Sequence, residues 1–183
     1  MIEAMDEPGE QLDLVDSNDQ PIGVISRQEV LGLEENGRGF TRAVGIFVVN
    51  DQGELWIPQR GEHKKIAPGG LDFSAGEHVA HGESYRQAGL RGLQEELGLT
   101  AKASELRLVG SVPPFQSMPY FHQIFLYPGN EVSQYDTGDY TSYEWLSPQM
   151  AVARLQGGAP AKEILLPSLQ LLLSNQAIEG VHA

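Results

Sequence analysis

A chain of 183 residues, 40% of them hydrophobic, is long enough for one globular domain with a substantial core. Its formal net charge of −13 argues against nucleic acids and anionic membranes as partners, because both repel an acidic surface. The chain has no cysteine, which excludes disulfides, zinc-thiolate sites and thiol catalysis and agrees with a bacterial cytoplasmic location.

The N-terminal part predicts a tail, a hairpin and a short helix. Residues 1–10 are acidic and polar and are expected to form a flexible tail before a single domain over residues 11–183. Two alternating segments, residues 12–15 and 22–25, flank a turn rich in Asp, Asn and Pro, which is typical of a β-hairpin. Ser26 then predicts the N-terminal cap of a short helix.

Three further strands are predicted before the middle of the chain. Residues 40–49 have apolar side chains on both faces, which favours a central strand covered by helices. Residues 55–57 follow a turn that ends in glycine, and they predict the next strand. Apolar and polar side chains alternate over residues 71–75, which are expected to form a third strand.

Residues 84–98 predict the most sharply bounded helix. Glu83 and Ser84 supply the carboxylate and hydroxyl that the free N–H groups of a helix start favour. Gly98 is the residue type that ends a helix in a left-handed conformation. Between them, leucines at helical spacing give one buried stripe: Leu90, Leu93 and Leu97.

Two adjacent carboxylates, Glu95 and Glu96, lie in the last turn of this helix, where a cation is preferred by about 0.3–1 kcal/mol. Arg91 compensates weakly, because an Arg that precedes a Glu by four residues is the less favourable order. A divalent metal compensates better, since hard cations bind carboxylate oxygens. The alternative is a solvated acidic helix end.

The remainder of the chain alternates strands and helices, which supports an α/β fold. Strands are predicted over residues 106–109, 120–127 and 143–146. Helices are predicted over residues 148–155, capped by Ser147, and over residues 161–177.

The loop and helix around residues 77–99 resemble the Nudix box. That pattern sets a Gly, a Glu, an Arg-Glu pair, a Glu-Glu pair and a last Gly at fixed spacings, and this chain matches it in register at Glu83, Arg91, Leu93, Glu95, Glu96, Gly98 and Leu99. Two positions depart: Glu77 replaces the opening Gly, and Gly92 replaces the Glu after the Arg. Flanking segments are similar to the Nudix subgroup related to isopentenyl-diphosphate isomerases: residues 12–15, 53–60 and 72–76.

The resemblance implies a three-layer α/β/α sandwich with a mixed β-sheet. It implies Mg²⁺ or Mn²⁺ as cofactor, held by carboxylates and a backbone carbonyl: Glu83, Glu95, Glu96 and the carbonyl of Gly76. Such an ion neutralises a diphosphate and activates water, with Glu95 or Glu96 as the catalytic base. Arg91 is expected to orient the glutamates rather than to touch the substrate.

Related proteins also recruit a carboxylate from the C-terminal region as an extra ligand or base. Glu144 is the first candidate for this role, and three others are kept as alternatives: Glu131, Asp136 and Asp139. Arg60 is either a phosphate-binding residue or an exposed loop arginine. Phe115 either stacks on a base of the substrate or packs as an ordinary aromatic side chain.

The implied function is that of a metal-dependent hydrolase of a nucleoside diphosphate linked to another moiety, with a small-molecule nucleotide or other diphosphate as substrate. Gly92 motivates an alternative, a catalytically impaired nucleotide- or metal-binding module. At Gly92 either the core or a loop packs closely, or room is left for a ligand. The isomerase reaction is excluded in its usual form, because those relatives need a cysteine at the position of Gly76. The oligomeric state is left open, with a homodimer as one option.

Overall fold

The first strands form the predicted hairpin, an antiparallel pair of β1 (Gln11–Val15) and β2 (Pro21–Ser26) that is separate from the main sheet. A 3₁₀ helix, Arg27–Gly32, follows, and the backbone N–H and the hydroxyl of Ser26 donate to the Glu29 carboxylate at 3.1 and 2.8 Å. The computed structural model describes residues 9–33, 37–115 and 118–178. The predicted tail therefore lies outside the described residues, apart from its last two residues.

The main sheet has six strands: β3 (Thr41–Val49), β4 (Leu55–Arg60), β5 (Ala75–His78), β6 (Arg107–Val112), β7 (Tyr120–Pro128) and β8 (Tyr140–Leu146). Five of its strands lie in the order β6-β7-β3-β4-β8, and β5 pairs with β3 in addition to these. The pair β3–β7 is parallel and the other pairs are antiparallel, so the sheet is mixed. As its apolar faces predicted, β3 is the central strand.

Strands β3 and β4 pair next to the turn that joins them and diverge away from it, where β5 pairs with β3 instead. The hydroxyl of Ser74, which is fully buried, joins the separating strands: it accepts from the N–H of Val48 at 2.9 Å and donates to the carbonyl of Trp56 at 2.6 Å. The strand predicted over residues 71–75 is wrong, since β5 begins only at Ala75. The apolar alternation there reflects burial of Phe73 in the core rather than a ladder of hydrogen bonds.

Three helices cover the two faces of the sheet. Helix α1 (Tyr85–Leu97) packs on one face, and α2 (Pro148–Gln156) and α3 (Leu165–Ser174) pack on the other. The predicted α/β/α sandwich with a mixed sheet is confirmed. Helix α3 is shorter than the predicted 161–177. No helix within the described ranges is long and apolar enough to cross a membrane.

Helix α1 has the predicted bounds. Ser84 is its N-cap and accepts from the N–H of Gln87, while Gly98 ends the helix in the left-handed region, with φ of 64°. Leu93 and Leu97 are buried, and Leu90 packs half-buried against the same cluster. The caps and this apolar stripe fix the rotation of the helix, so its acidic side is directed at β5 and the start of β8.

Candidate active site

Strand β5 brings the backbone of Gly76 to the last turn of helix α1. The N–H of Gly76 donates to Oε1 of Glu96 at 2.8 Å. The hydroxyl of Tyr140, at the start of β8, donates to Oε2 of the same carboxylate at 2.9 Å. Two predicted metal-site residues, Gly76 and Glu96, are thus adjacent, and both oxygens of Glu96 accept hydrogen bonds.

Arg91 holds the other carboxylates of the box together. Its guanidinium donates to Glu83 at 3.1 Å, to Glu77 at 3.0 Å and to Glu95 at 3.4 Å. It also donates to the carbonyl of His78 at 2.8 Å. Burial lowers the pKa of Arg91, but the bond to Glu83 and the charge of Glu77 outweigh burial and raise it. Arg91 therefore contacts the glutamates, as the resemblance implies.

The side chain of Glu77 fills the space beside Gly92. A β-carbon built on Gly92 would lie 2.8 Å from Cγ of Glu77 and 3.8 Å from Oε1 of Glu96. The first distance is too short for a real contact, so the missing side chain at Gly92 leaves no empty room. Of the two alternatives stated for this glycine, close packing is the one present, and the packing group is itself a carboxylate.

The neighbouring carboxylates of this group repel one another: Glu77 acts on Glu96, and Glu95 acts on Glu77. Burial and the neighbouring charge of Glu77 raise the pKa of Glu96 to about 8, against the hydrogen bond from Gly76, which lowers it. Burial likewise raises the pKa of Glu77, although Arg91 lowers it. Three carboxylates thus contact Arg91 (Glu77, Glu83 and Glu95), and the charge of Glu77 also acts on the fourth, Glu96.

The donor chemistry of this group fits a hard divalent cation, which binds carboxylate and carbonyl oxygens. Its excess of negative charge would be offset by such an ion. Within residues 9–33, 37–115 and 118–178, however, no three His, Asp or Glu side chains converge as a ready-made metal site. Binding of an ion would therefore bring these carboxylates closer together than they lie here.

A second charged cluster lies next to Glu96. Oδ2 of Asp72 is 2.6 Å from Nη1 of Arg60 and 2.9 Å from Nζ of Lys162, which precedes α3. Asp72 is 1% exposed and the Arg60 side chain is 11% exposed, so Arg60 is not an exposed loop arginine. The charge of Asp72 raises the pKa of Glu96, and the charge of Lys162 lowers it.

Glu144 is not brought to this group. Its carboxylate forms two hydrogen bonds to Arg154 of α2, at 2.6 and 2.8 Å. Along β8, Tyr143 stacks on Trp56 in the core under α1, so the alternation of strand side chains directs Glu144 to the opposite face. Of the alternatives, Asp139 pairs with Lys64, and Asp136 accepts from the N–H of Gly138 at 2.7 Å.

Phe115 lines a cavity of about 570 Å³ between the N-terminal hairpin and the loop that leads into β7. Phe40, Met118 and Arg38 also line it. The hydroxyl of Tyr120 donates to Sδ of Met118 at 3.0 Å, and the Tyr120 ring contacts the His78 ring with centroids 5.5 Å apart. Packed side chains thus connect this cavity to the side chain of His78 on β5.

Four residues of these clusters were not predicted from the sequence: Glu77, Asp72, Tyr140 and Lys162. For Glu77 a signal existed, because one departure from the box adds a carboxylate where the other removes one. For the remaining three no local signal exists, since separate segments of the chain bring them together.

Comparisons with known proteins match both the sequence and the fold of this chain. A family model described as NUDIX domain matches residues 39–169. An uncharacterized Nudix hydrolase of Nostoc sp. is 35% identical over 167 residues, which cover 91% of this chain and 97% of the relative. An isopentenyl-diphosphate Delta-isomerase of Pectobacterium atrosepticum is 37% identical over 86 residues, 47% of this chain and 46% of that protein. A crystal structure from Deinococcus radiodurans superposes with a TM-score of 0.73 at 31% identity, covering 88% of this chain and 98% of that one.

Proposed function

Because the chain belongs to the Nudix family, we propose that it is a Mg²⁺- or Mn²⁺-dependent hydrolase of a nucleoside diphosphate linked to another moiety. The family assignment confirms the resemblance stated from the box residues, and it makes the chain a hydrolase of the class that acts on a diphosphate bond. The observation that carries the finer proposal is the group of three carboxylates held by Arg91 together with Glu96, on which the charge of Lys162 also acts.

In this proposal the metal is held by Glu83, Glu95, Glu96 and the Gly76 carbonyl. When bound, it neutralises diphosphate charge and makes water a better nucleophile at neutral pH. Arg91 positions the glutamates through the contacts described above. Glu95 is the best candidate for the base, because its side chain is 54% exposed and held by one nitrogen of Arg91, at 3.4 Å.

Arg60 and Lys162 are proposed to bind the phosphates. Together they carry two positive charges against the one carboxylate of Asp72, so the cluster keeps a net positive charge. Arg60 offers the planar donor geometry that suits phosphate oxygens.

The apolar part of the substrate is proposed to enter the cavity lined by Phe115. Its volume, about 570 Å³, is in the range of small-molecule sites. Phe115 and Phe40 supply aromatic faces on which a base can stack. The relatives named above are bacterial proteins, and we infer a bacterial cytoplasmic hydrolase of a small molecule.

The test is release of phosphate, pyrophosphate and nucleotide from a panel of nucleoside di- and triphosphates, nucleotide sugars and dinucleoside polyphosphates. It is run with Mg²⁺, Mn²⁺ and EDTA. Turnover of one class that EDTA abolishes is the expected result, and Glu95→Gln should lower it by about 10²- to 10⁴-fold. Glu105→Gln, an exposed carboxylate after α1, is the matched control and should leave turnover unchanged.

Turnover that persists in EDTA would contradict the proposed metal dependence. Silence towards every compound, with metal binding still measurable, would favour the alternative of a binding module.

A further inference from the structure

Glu77 and Gly92 lie on different elements but compete for one volume. Glu77 belongs to β5, and Gly92 belongs to the buried flank of α1. A β-carbon on Gly92 would be 2.8 Å from Cγ and 3.7 Å from Cβ of Glu77. The Glu77 side chain therefore occupies the position from which a longer side chain at residue 92 would leave the helix.

From this position the carboxylate of Glu77 reaches the same surroundings as the glutamates of α1. It lies 3.0 Å from Nη1 of Arg91, the nitrogen that also donates to Glu95. The volume it fills borders Oε1 of Glu96, 3.8 Å from the β-carbon built on Gly92. Its side chain is 15% exposed, so it extends between strand and helix rather than into solvent.

We propose that Glu77 is a ligand of the divalent metal and supplies from strand β5 the carboxylate that the box pattern places at residue 92 of the helix. The assignment rests on the proposed metal-dependent function. It makes the two departures from the box a single relocation of one carboxylate, so the number of carboxylates near Arg91 is preserved. A competing role is a purely structural one, in which Glu77 only pairs with Arg91 and fills space.

Mn²⁺ binding, measured by calorimetry on the metal-free protein, separates these roles without relying on turnover. Glu77→Gln keeps the size of the side chain and removes its charge. Its affinity for Mn²⁺ should fall by about tenfold or more. Even the loss of a group that only hydrogen-bonds a metal ligand typically lowers metal affinity by about 10- to 100-fold. Glu105→Gln makes the same change on an exposed 3₁₀ helix, Ala103–Glu105, and should bind Mn²⁺ as the unaltered chain does.

The exchange variant Glu77→Gly/Gly92→Glu is the sharper test, because it moves the carboxylate back to the helix. It should bind Mn²⁺ within about threefold of the unaltered chain, since the charge count and the filled volume are both kept. Gly92→Glu alone should lower the melting temperature, because two side chains then compete for the volume now filled by Glu77.

Equal Mn²⁺ affinity of Glu77→Gln and the unaltered chain would overturn the assignment and leave the proposed hydrolase intact. A folded exchange variant that does not bind Mn²⁺ would overturn it too, and this result remains available if Glu77→Gln fails to fold. Failure of the unaltered chain to bind Mn²⁺ would instead remove the metal-dependent function, and the ligand role with it.

Discussion

The guanidinium of Arg60 lies 2.6 Å from the carboxylate of Asp72, a side chain that is 1% exposed. Lys162 shares this carboxylate at 2.9 Å, so one buried anion holds two cations. Removing the charge of Asp72 leaves both cations uncompensated. Asp72→Asn should therefore lower the free energy of unfolding by about 3–5 kcal/mol, measured by urea denaturation.

The matched control is the surface pair of Glu144 and Arg154, whose side chains are 55% and 38% exposed. Glu144→Gln should cost less than about 1 kcal/mol, because solvent screens that pair. A loss of the same size for both variants would show that the burial of Asp72 does not govern its contribution.

The hydroxyl of Ser74 is a second buried link whose removal should be measurable. It accepts from Val48 and donates to Trp56 where β3 and β4 separate, so alanine leaves a buried N–H and a buried carbonyl without this partner. Ser74→Ala should lower the free energy of unfolding by about 1–3 kcal/mol. Ser142→Ala, at an exposed position of β8, is the control and should change stability far less.

His122 should make the protein less stable in mild acid. Burial, with the charge of Lys162, lowers the pKa of His122 from its ordinary value near 6.5 to about 3. Below pH 6.5 the unfolded chain therefore binds a proton at this residue that the folded chain does not bind until about pH 3. When the pH is lowered from about 7.5 to about 5, protonation of this residue in the unfolded chain should lower the free energy of unfolding by about 2 kcal/mol.

The measurement compares urea unfolding at those two pH values for the unaltered chain and for His122→Gln. The variant should lose less stability on acidification by that amount, whatever its stability at pH 7.5. His63→Gln, in an exposed loop, serves as the control. An unchanged pH dependence in His122→Gln would mean that His122 takes up its proton without unfolding.

Gly98 is required by the backbone at the end of α1. Its φ of 64° is in the left-handed region, and its N–H closes the helix on the carbonyls of Gln94 and Leu93. Gly98→Ala should lower the free energy of unfolding by about 1–2 kcal/mol. Gly98→Asn should cost less, because Asn tolerates this conformation better. Equal losses would point to a clash of the added β-carbon, which would lie 2.8 Å from Oε1 of Gln134, rather than to backbone strain.

Local features of the chain were predictable because their causes are local. The caps Ser84 and Gly98 and the leucine spacing bounded α1 closely, and the turn residues located the N-terminal hairpin. The strand predicted over residues 71–75 was wrong because Phe73 is buried in the core although its segment forms no strand. The N–H of Leu71 and that of Asp72 donate instead to the carbonyls of Pro160 and Pro58, which only the tertiary fold brings near.

The candidate site divides in the same way. The glutamates of α1 and Arg91 share one helix, so the sequence places them together. The cluster of Asp72 and Lys162 depends on a loop after β4 meeting the segment before α3, and no spacing rule links them. Glu144 was predicted from the C-terminal carboxylate that the family resemblance implies, whereas the alternation of β8 decides which face it occupies.

Positions 77 and 92 can be expected to evolve as a pair. A side chain can enter their common volume from the strand or from the helix, but not from both, since the atoms would approach to 2.8 Å. Where residue 77 carries a carboxylate, residue 92 should remain glycine, and where residue 92 carries one, residue 77 should be small. A comparison that scores the two positions separately counts two defects in this chain, whereas their joint substitution leaves the acidity of the site unchanged.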